Sequence, residues 1–207
     1  MAIQPVRQYM TFEQYLLLVN NSDRRYEYYD GEVRLMAGGT SNHATIALNC
    51  GVALDQALGD DAVCRPYVTD KLVRVAPTKT LIPDVVVSCD TVDHGESHVF
   101  DSPVLVVEVL SRSTEMTDRF VKLALYQAKE SIQEIIFISQ IIQRVEVFSR
   151  STTDWIYHQY GARQSFFLTS LDIEIEVRQL YRRLSIPAVV EEVEEEDMPA
   201  SEPGNNE

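Results

Sequence analysis

The sequence predicts an α+β (α/β/α) fold, in which one mixed β-sheet is flanked by helices. Short Val-rich runs bounded by Pro, Asp and Gly indicate buried central strands, and Asp84–Ser88 and Pro103–Leu110 are the clearest of them. A helical segment separates Pro103–Leu110 from the next apolar run, Gln133–Ser139. Because a strand, helix, strand order is typical of a crossover connection, part of the sheet is expected to be parallel.

A capping box and a hairpin turn mark the N-terminal part of the chain. The side chains of Thr11 and Gln14 can satisfy each other's free backbone donors, which predicts a helix from this point to about Val19. Two strand-like runs then flank Asp30-Gly31, a pair that tolerates the positive φ of a tight turn. We therefore expect a β-hairpin at this turn.

Apolar residues at a helical spacing of three and four predict a second helix from Asn42 to about Leu58, with His43 in its first turn. Two strand-like runs follow it, Ala62–Thr69 and Lys71–Val75. Together with Asp84–Ser88 and Pro103–Leu110, these runs are expected to form buried central strands.

The remaining elements follow the second central strand. Thr117 is expected to cap a helix from Asp118 to about Lys129. Three further strands and a short closing helix are expected after the crossover, at Arg144–Phe148, Asp154–Tyr160, Asp172–Val177 and Val177–Leu184.

The chain is expected to form one domain, residues 1–184, followed by a tail, residues 185–207. A chain of 207 residues is long enough to bury a sizeable core. The tail contains three prolines and an acidic run, so it buries too little apolar surface to offset its ordering entropy. We expect an acidic disordered segment that adds solubility, with binding of a partner as the alternative.

The charge of the chain argues against a nucleic-acid partner without excluding one. The formal net charge is -14, and proteins that bind phosphates draw affinity from Lys and Arg. Eight acidic and no basic residues lie beyond Leu184, which leaves 18 basic and 24 acidic groups in the body. A metal-dependent nuclease must cluster carboxylates around its ion, so its net charge says little about its binding face.

Cysteine usage and the N-terminus indicate a cytoplasmic protein. Cys50, Cys64 and Cys89 lie singly, without Cys-x-x-Cys spacing, and an odd count suits neither a disulfide framework nor a zinc site. Reduced thiols that act as small hydrophobes are expected. The N-terminus lacks a signal-peptide pattern, and no apolar run approaches the ~18 residues of a membrane span, so no membrane partner is expected.

Two carboxylates interrupt otherwise apolar strands. Asp84 follows Pro83 at the start of one Val-rich run, and Glu108 lies inside another. A lone buried carboxylate is unfavourable unless it is paired, protonated or bound to a metal. A shared hard cation, Mg²⁺ or alternatively Mn²⁺, would account for both residues. Each by itself also fits an ordinary role, a turn residue for Asp84 and a lysine partner or solvent-facing position for Glu108.

Several motifs follow one another in a fixed order from Tyr26 to Tyr126. They are Arg25-Tyr-Glu27 with Asp30-Gly-Glu32, Ser41-Asn-His43, Pro83-Asp84, Val106-Val-Glu108-Val-Leu-Ser111 with Ser113-Thr114, and Asp118 to Tyr126 with Lys122. Pro-Asp alone occurs by chance, whereas the ordered set is specific. It resembles the putative restriction endonuclease (Uma2) family of the PD-(D/E)xK nuclease superfamily, over most of the body from about Met10 to about Leu184.

The resemblance implies a restriction-endonuclease-like fold and a Mg²⁺-dependent endonuclease that hydrolyses DNA phosphodiester bonds. It implies that the carboxylates of Asp84 and Glu108, with the backbone carbonyl of Val109, hold the metal. Water activated by the ion would then attack the phosphate in line. DNA is the implied partner, and a homodimer stays open because cutting a duplex needs two sites or two visits.

The sequence departs from the superfamily pattern two residues after Glu108. The catalytic lysine normally stands there, and this chain has Leu110, which can neither orient nor deprotonate water. Lys122 is the candidate replacement, since the long lysine side chain can reach the site from the following helix. The alternative for Lys122 is a surface lysine paired with Asp118 four residues before it, an interaction of only about 0.2 to 0.5 kcal/mol.

Three further residues are candidates for the site. Glu27 resembles the accessory acidic residue of the superfamily, which could hold an ion-bound water or a second ion; its alternative is a strand residue facing solvent. His43, at a helix start, could contact a phosphate or could be an ordinary first-turn histidine. Tyr126 lies one turn beyond Lys122 on the same face and could position that lysine or a phosphate, with core packing as its alternative.

Leu110 and the acidic composition keep a second hypothesis open, a catalytically inactive relic of the fold that binds nucleic acid or protein. Serine hydrolases and nucleotide-dependent transferases are excluded, because the chain lacks GxSxG, GxGxxG and GxxxxGK[ST]. The feature that separates the nuclease from the relic is whether Lys122 reaches the carboxylates of Asp84 and Glu108.

Overall fold

The computed structural model describes residues 9–36, 38–68, 70–111 and 115–188. Helices and strands are mixed along these ranges, which confirms the predicted α+β class. In chain order the elements are α1 (Phe12–Asn20), β1 (Tyr26–Tyr29), β2 (Glu32–Leu35), α2 (Ser41–Leu58), β3 (Arg65–Val68), β4 (Leu72–Ala76), β5 (Lys79–Leu81), β6 (Val85–Ser88), a 3₁₀ turn (Thr91–Asp93), β7 (Val99–Phe100), β8 (Pro103–Leu110), α3 (Glu115–Thr117), a π-helical turn (Asp118–Lys122), α4 (Leu123–Ala128), β9 (Glu134–Ser139), β10 (Arg144–Arg150), β11 (Trp155–Gly161), β12 (Ser165–Leu168), β13 (Ile173–Glu176) and α5 (Val177–Leu180).

The strands form three sheets, so the prediction of one sheet is wrong in number. Their orders are β2-β1-β5-β4-β7, β11-β10-β9-β8-β6-β3 and β12-β13. In the six-stranded sheet β8 and β9 are parallel, which confirms the predicted crossover, and the other neighbours are antiparallel. The sequence did not indicate β5, β7 and β12, because runs of two to four residues are too short to show a period.

The central strands of the six-stranded sheet, β6, β8 and β9, are buried on both faces, whereas its edge strands β3 and β11 are partly exposed. Val85, Val107 and Val109 pack on one face in a cluster that also contains α2 and α5 side chains. Val86 and Val106, which point the other way, pack in a second cluster with residues of β4, β5 and α4. Because successive strand side chains alternate between faces, continuous Val-rich runs are the expected composition for such strands.

The predicted N-terminal elements are confirmed. Thr11 and Gln14 form both bonds of the capping box at the start of α1. The hairpin pairs Tyr29 with Glu32, and Asp30 and Gly31 both take positive φ in its turn. Helix α1 and the hairpin share a third apolar cluster, which also contains Leu72 of β4 and Val99 of β7 from the same five-stranded sheet.

The prediction that Thr117 caps the third long helix is wrong. Its backbone is helical, with a ψ of -44° where the N-cap residue Thr11 has an extended ψ of 164°, and its side chain makes no capping bond. The helical segment already begins at Glu115, so Thr117 lies inside it. The closing helix is also shorter than predicted, since α5 ends at Leu180.

The first residues of the predicted tail contact the body. Ile186 is buried, Gln143 donates its backbone N–H to the carbonyl of Pro187, and Ala188 forms a parallel bridge with Gln143. The rest of the predicted tail, 189–207, lies outside the described residues. In the part of the chain that the structure describes, no helix has the length and apolar character needed to cross a membrane.

The expectation of three reduced thiols is wrong for two of the cysteines. Cys64 and Cys89 form a disulfide, and Cys50 is a buried free thiol. The disulfide continues the antiparallel register of β3 and β6, in which Arg65 already faces Ser88. Spacing along the chain could not reveal this pair, because strand pairing brings its two members together across 25 residues.

Thiol titration is expected to reflect this arrangement. Burial and, less strongly, the carboxylate of Asp84 raise the pKa of the Cys50 thiol to about 12, so this thiol should react slowly in the native protein. A chromogenic thiol reagent should therefore detect close to no thiol in the native protein, one thiol after unfolding without reductant, and three after unfolding with prior reduction. Three thiols without reduction would contradict the disulfide.

Candidate active site

Strand pairing brings Asp84 and Glu108 together. Asp84 precedes β6 and its backbone N–H donates to the carbonyl of Val107 at 3.0 Å, next to the pair of Val85 with Val107. Continuing this register places Asp84 opposite Glu108, and opposed residues of antiparallel strands have Cβ atoms about 4.5 to 5.5 Å apart. The backbone N–H of Val109 also donates to Oδ2 of Asp84 at 2.7 Å. The two carboxylates are therefore held at one position of the six-stranded sheet.

Lys122 reaches Glu108 from the helical segment that follows β8. Its Nζ lies 3.0 Å from Oε1 of Glu108, 3.0 Å from Oε1 of Glu27 and 3.4 Å from Oδ1 of Asp118. The side chain is 5% exposed, which contradicts the alternative of a surface lysine. Between Lys122 and Asp84 the described residues show no ion pair. Lys122 thus occupies the centre of a carboxylate cluster that includes one member of the predicted metal pair.

The π-helical turn explains how Asp118, Lys122 and Tyr126 share one face. All three are almost fully buried although they are spaced by four residues. In an α-helix each residue turns about 100°, so three residues at this spacing would drift by roughly 80° in total. A π turn contains more residues per turn and offsets part of that drift. The turn lies between Asp118 and Lys122, where it keeps both side chains directed at the sheet.

Glu27 belongs to the same cluster, although it lies on the other sheet. It is 6% exposed on β1, which contradicts the solvent-facing alternative. Its Oε1 pairs with Lys122, and its Oε2 accepts a bond from the hydroxyl of Tyr29 at 2.9 Å. The backbone N–H of Ile82 donates to it as well, at 3.4 Å. Glu27 therefore links the two large sheets at the site.

Tyr126 contacts the site through its hydroxyl as well as its ring. The hydroxyl donates to Oε1 of Glu108 at 2.6 Å, and the side chain is completely buried in the cluster that contains Leu110. Burial, followed by the nearby carboxylate of Glu108, raises the pKa of Tyr126 well above its usual value. Tyr126 thus acts as a hydrogen-bond donor to Glu108, and its ring also packs in the core.

Negative charge dominates the electrostatics of the cluster. Burial raises the pKa of Glu108 well above its usual value; Lys122 opposes this, and Asp84, Asp118 and Glu27 add to it. Burial by itself lowers the pKa of Lys122, but its carboxylate neighbours outweigh burial and raise that pKa well above the usual value. The lysine therefore stays protonated, while Glu108 holds a proton more readily than an exposed glutamate does.

His43 contacts Asp84, the member of the predicted metal pair that Lys122 does not contact. Its Nε2 is 2.8 Å from Oδ1 of Asp84, and the N-cap residue Thr40 accepts the backbone N–H of His43. Its Nδ1 is buried and has no hydrogen-bond partner among the described residues. His43 thus contacts one member of the predicted metal pair, Asp84, and Lys122 contacts the other, Glu108.

The donor chemistry of these residues fits a divalent cation. Three buried carboxylates, those of Glu27, Glu108 and Asp118, contact the single lysine, and Asp84 adds a fourth buried carboxylate opposite Glu108. The carboxylates therefore outnumber the lysine in this part of the protein interior. Each carboxylate oxygen has two lone pairs, so Asp84 and Glu108 keep acceptor capacity beside their present bonds. No group of three acidic, His or Cys side chains among the described residues could enclose an ion. A pair of carboxylates suits Mg²⁺, which typically keeps several waters.

Two members of the cluster were not assigned to the site from the sequence. Asp118 was considered only as a helix residue paired with Lys122, and Tyr29 was not considered. The spacing of Asp118, Lys122 and Tyr126 by four residues was a readable signal of a shared helix face. The spacing of Glu27 and Tyr29 by two residues was also a readable signal, because side chains two apart in a strand lie on the same face.

Comparisons with known proteins agree with the predicted family and fold. The family model Uma2, described as "Putative restriction endonuclease", matches residues 12–189. "Uncharacterized protein slr1290" of Synechocystis sp. (strain ATCC 27184 / PCC 6803 / Kazusa) is 30% identical over 175 residues, 84% of this chain and 92% of its own. "Uncharacterized protein sll1609" of the same organism is 28% identical over 145 residues, 68% of this chain and 81% of its own.

A solved structure extends the likeness to three dimensions. The crystal structure of "a putative nuclease belonging to DUF820" from Anabaena variabilis ATCC 29413 matches with a TM-score of 0.65, covering 83% of this chain and 97% of that one. At 16% identity the likeness shows the fold. Since the family model covers most of the chain, including every candidate site residue, the chain belongs to the Uma2 family of restriction-endonuclease-like proteins.

Proposed function

We propose that this protein is a Mg²⁺-dependent endonuclease that hydrolyses DNA phosphodiester bonds, with Mn²⁺ as an alternative ion. One observation carries the proposal: the ammonium of Lys122 lies 3.0 Å from Glu108, which is opposite Asp84 on the neighbouring strand. This supplies, from a helix, the lysine that the superfamily pattern places where Leu110 stands. Family membership supports a nuclease activity. The identity of the ion as Mg²⁺ and of the substrate as DNA is part of the proposal.

Asp84 and Glu108, with the backbone carbonyl of Val109, would hold the ion. When bound, the ion supplies Lewis-acid polarisation of the scissile phosphate and lowers the pKa of a water molecule. The bond from the backbone N–H of Val109 holds one oxygen of Asp84 in place, so this carboxylate is oriented before any ion arrives. Glu108 is oriented from the helix by Lys122 and Tyr126.

Lys122 would orient the attacking water and offset negative charge on the phosphate. Because its pKa is raised, it enters the reaction as a protonated donor and not as a general base. Glu27 and Asp118 hold its ammonium beside Glu108, which limits the positions that the flexible lysine side chain can take. His43 contacts the other carboxylate of the pair, that of Asp84.

The alternative of an inactive relic is less well supported by the cluster. A protein that had lost catalysis would gain stability by replacing several buried carboxylates with apolar residues. Here four carboxylates and one lysine are buried in the interior, and two tyrosines donate to two of the carboxylates. Such an arrangement is typical of a site that is kept for chemistry at a cost in stability.

Cleavage of supercoiled plasmid tests the proposal. Purified protein should nick or linearise the plasmid with Mg²⁺ or Mn²⁺ and should leave it intact with EDTA. Asp84→Asn should lower the rate by about 1,000-fold or more, since it removes a charged ligand of the ion while keeping the side-chain shape. Gel densitometry over time gives the rates.

Asp55→Asn is the matched control, because Asp55 is exposed on α2 and away from the sheet. It should cleave at the wild-type rate, which guards against a contaminating nuclease and against a general effect of the substitution. Equal cleavage by the Asp84 variant and the wild type would reject the proposed metal site, and intact plasmid with every ion and nucleic acid would favour the relic.

A further inference from the structure

The two carboxylate oxygens of Glu108 have different environments. Its Oε1 accepts from the ammonium of Lys122 at 3.0 Å and from the hydroxyl of Tyr126 at 2.6 Å. Among the described residues, every hydrogen bond to this side chain ends on Oε1. Two donors from the helical segment therefore hold one oxygen, and the planar carboxylate directs its other oxygen, Oε2, away from that segment.

The hydroxyl of Tyr126 is the more rigid of the two donors. Its ring is completely buried and packs with Leu110 and Phe137 in the cluster between the sheet and the helix. A tyrosine has two side-chain torsions, whereas a lysine has four, so the buried ring holds its hydroxyl at a defined position. Lys122 in addition forms ion pairs with three carboxylates. The orientation of Glu108 therefore depends chiefly on Tyr126.

Glu27 offers an internal comparison. It accepts from a tyrosine hydroxyl too, that of Tyr29 at 2.9 Å, and it also pairs with Lys122. Glu27 lies on β1 of the five-stranded sheet, however, and is not opposite Asp84 in any strand pair. The two tyrosines thus make the same kind of buried bond to two carboxylates, of which one belongs to the proposed metal pair.

We propose that Tyr126 is a positioning residue for the divalent cation. By holding Oε1 of Glu108 on the helix side, it presents Oε2 toward Asp84 and so sets the affinity of the pair for the ion. This inference rests on the proposed metal site and adds a residue to it. A carboxylate whose orientation is already restricted loses less conformational entropy when it binds an ion, so removing the hydroxyl should weaken ion binding.

Mn²⁺ binding by Tyr126→Phe tests this role, with Tyr29→Phe as the matched control. Each substitution deletes one buried hydroxyl and keeps the ring. The dissociation constant for Mn²⁺ is measured by calorimetry or by the electron paramagnetic resonance signal of the free ion, and the melting temperature of each variant is measured with EDTA and with Mn²⁺. Comparing each variant with its own ion-free form separates the effect on ion binding from the loss of stability caused by the missing hydrogen bond.

Tyr126→Phe is expected to raise the Mn²⁺ dissociation constant about 10-fold and to shrink the gain in melting temperature on adding Mn²⁺. Tyr29→Phe should change the dissociation constant less than about 2-fold. Plasmid cleavage by Tyr126→Phe should recover most of the wild-type rate at saturating Mn²⁺, since the lysine and both carboxylates remain. Recovery by added ion is a response that a merely structural role would not give.

Equal Mn²⁺ affinity in Tyr126→Phe and wild type would overturn the inference, as would equal losses in the two tyrosine variants. Absence of Mn²⁺ binding by the wild-type protein would overturn the inference together with the metal site on which it rests. Wild-type protein that binds Mn²⁺ and cleaves no nucleic acid would overturn the proposed function alone, and the binding constants of the two variants would still decide the role of Tyr126.

Discussion

Lys122→Met is expected to abolish plasmid cleavage and to lower the melting temperature of the protein. Methionine keeps most of the side-chain length but removes the only cation that contacts Glu27, Glu108 and Asp118 among the described residues. Removing one partner of a buried ion pair costs about 3 to 5 kcal/mol. For a chain of this size, that corresponds to a fall in melting temperature of roughly 10 °C.

Two further variants control this experiment. Lys129→Met, in the turn that follows α4, changes a lysine that forms no ion pair with the described residues, and it should cleave and melt like the wild type. Adding Leu110→Lys to Lys122→Met should restore part of the cleavage, because Leu110 lies two residues after Glu108 and its side chain is on the same face of β8. Cleavage at the wild-type rate by Lys122→Met itself would show that this lysine takes no part in the reaction.

Glu108→Gln is expected to abolish cleavage while it raises the melting temperature measured with EDTA. Glutamine keeps an oxygen that accepts hydrogen bonds from Lys122 and Tyr126. It removes one negative charge from a buried cluster in which carboxylates outnumber the single lysine. Replacing a buried charge in such a cluster can stabilise a protein by about 1 to 3 kcal/mol. Loss of activity with a gain in stability would be the signature of a carboxylate kept for catalysis.

The stability gain should grow with pH. The pKa of Glu108 is higher in the folded protein than in the unfolded chain. Its contribution to stability is therefore complete below the pKa of the unfolded chain, and it is lost as pH rises through the pKa of the folded protein. Glutamine cannot ionise and has no such loss. The difference in melting temperature between Glu108→Gln and wild type should therefore increase from about pH 5 to about pH 8. Glu174→Gln, at an exposed position of β13, should show no such trend, and a trend of the opposite sign would contradict the raised pKa.

The sequence allowed the elements near the site to be placed with little error. Pro103–Leu110 was predicted with the observed bounds of β8, because a long Val-rich run between clear boundaries has few alternatives. The capping box of Thr11 and the hairpin turn at Asp30 were also predicted, since both depend on contacts within a few residues. By contrast, Thr117 is a residue type that often caps a helix, but it does not lie at the start of one. Residue type alone could not exclude a helix that begins earlier in the chain.

The sequence by itself indicated which residues could carry the chemistry: Asp84 and Glu108 in apolar strands and, through the family resemblance, Lys122 as the candidate for the lysine that is missing at Leu110. Only the tertiary structure decided that Lys122 lies at Glu108, that Glu27 and Asp118 hold its ammonium, and that Cys64 pairs with Cys89. The physical reason is the range of the interactions. Caps, turns and strand patterns arise between near neighbours in the chain, whereas these contacts depend on which strands pair and on how one helical segment packs between two sheets.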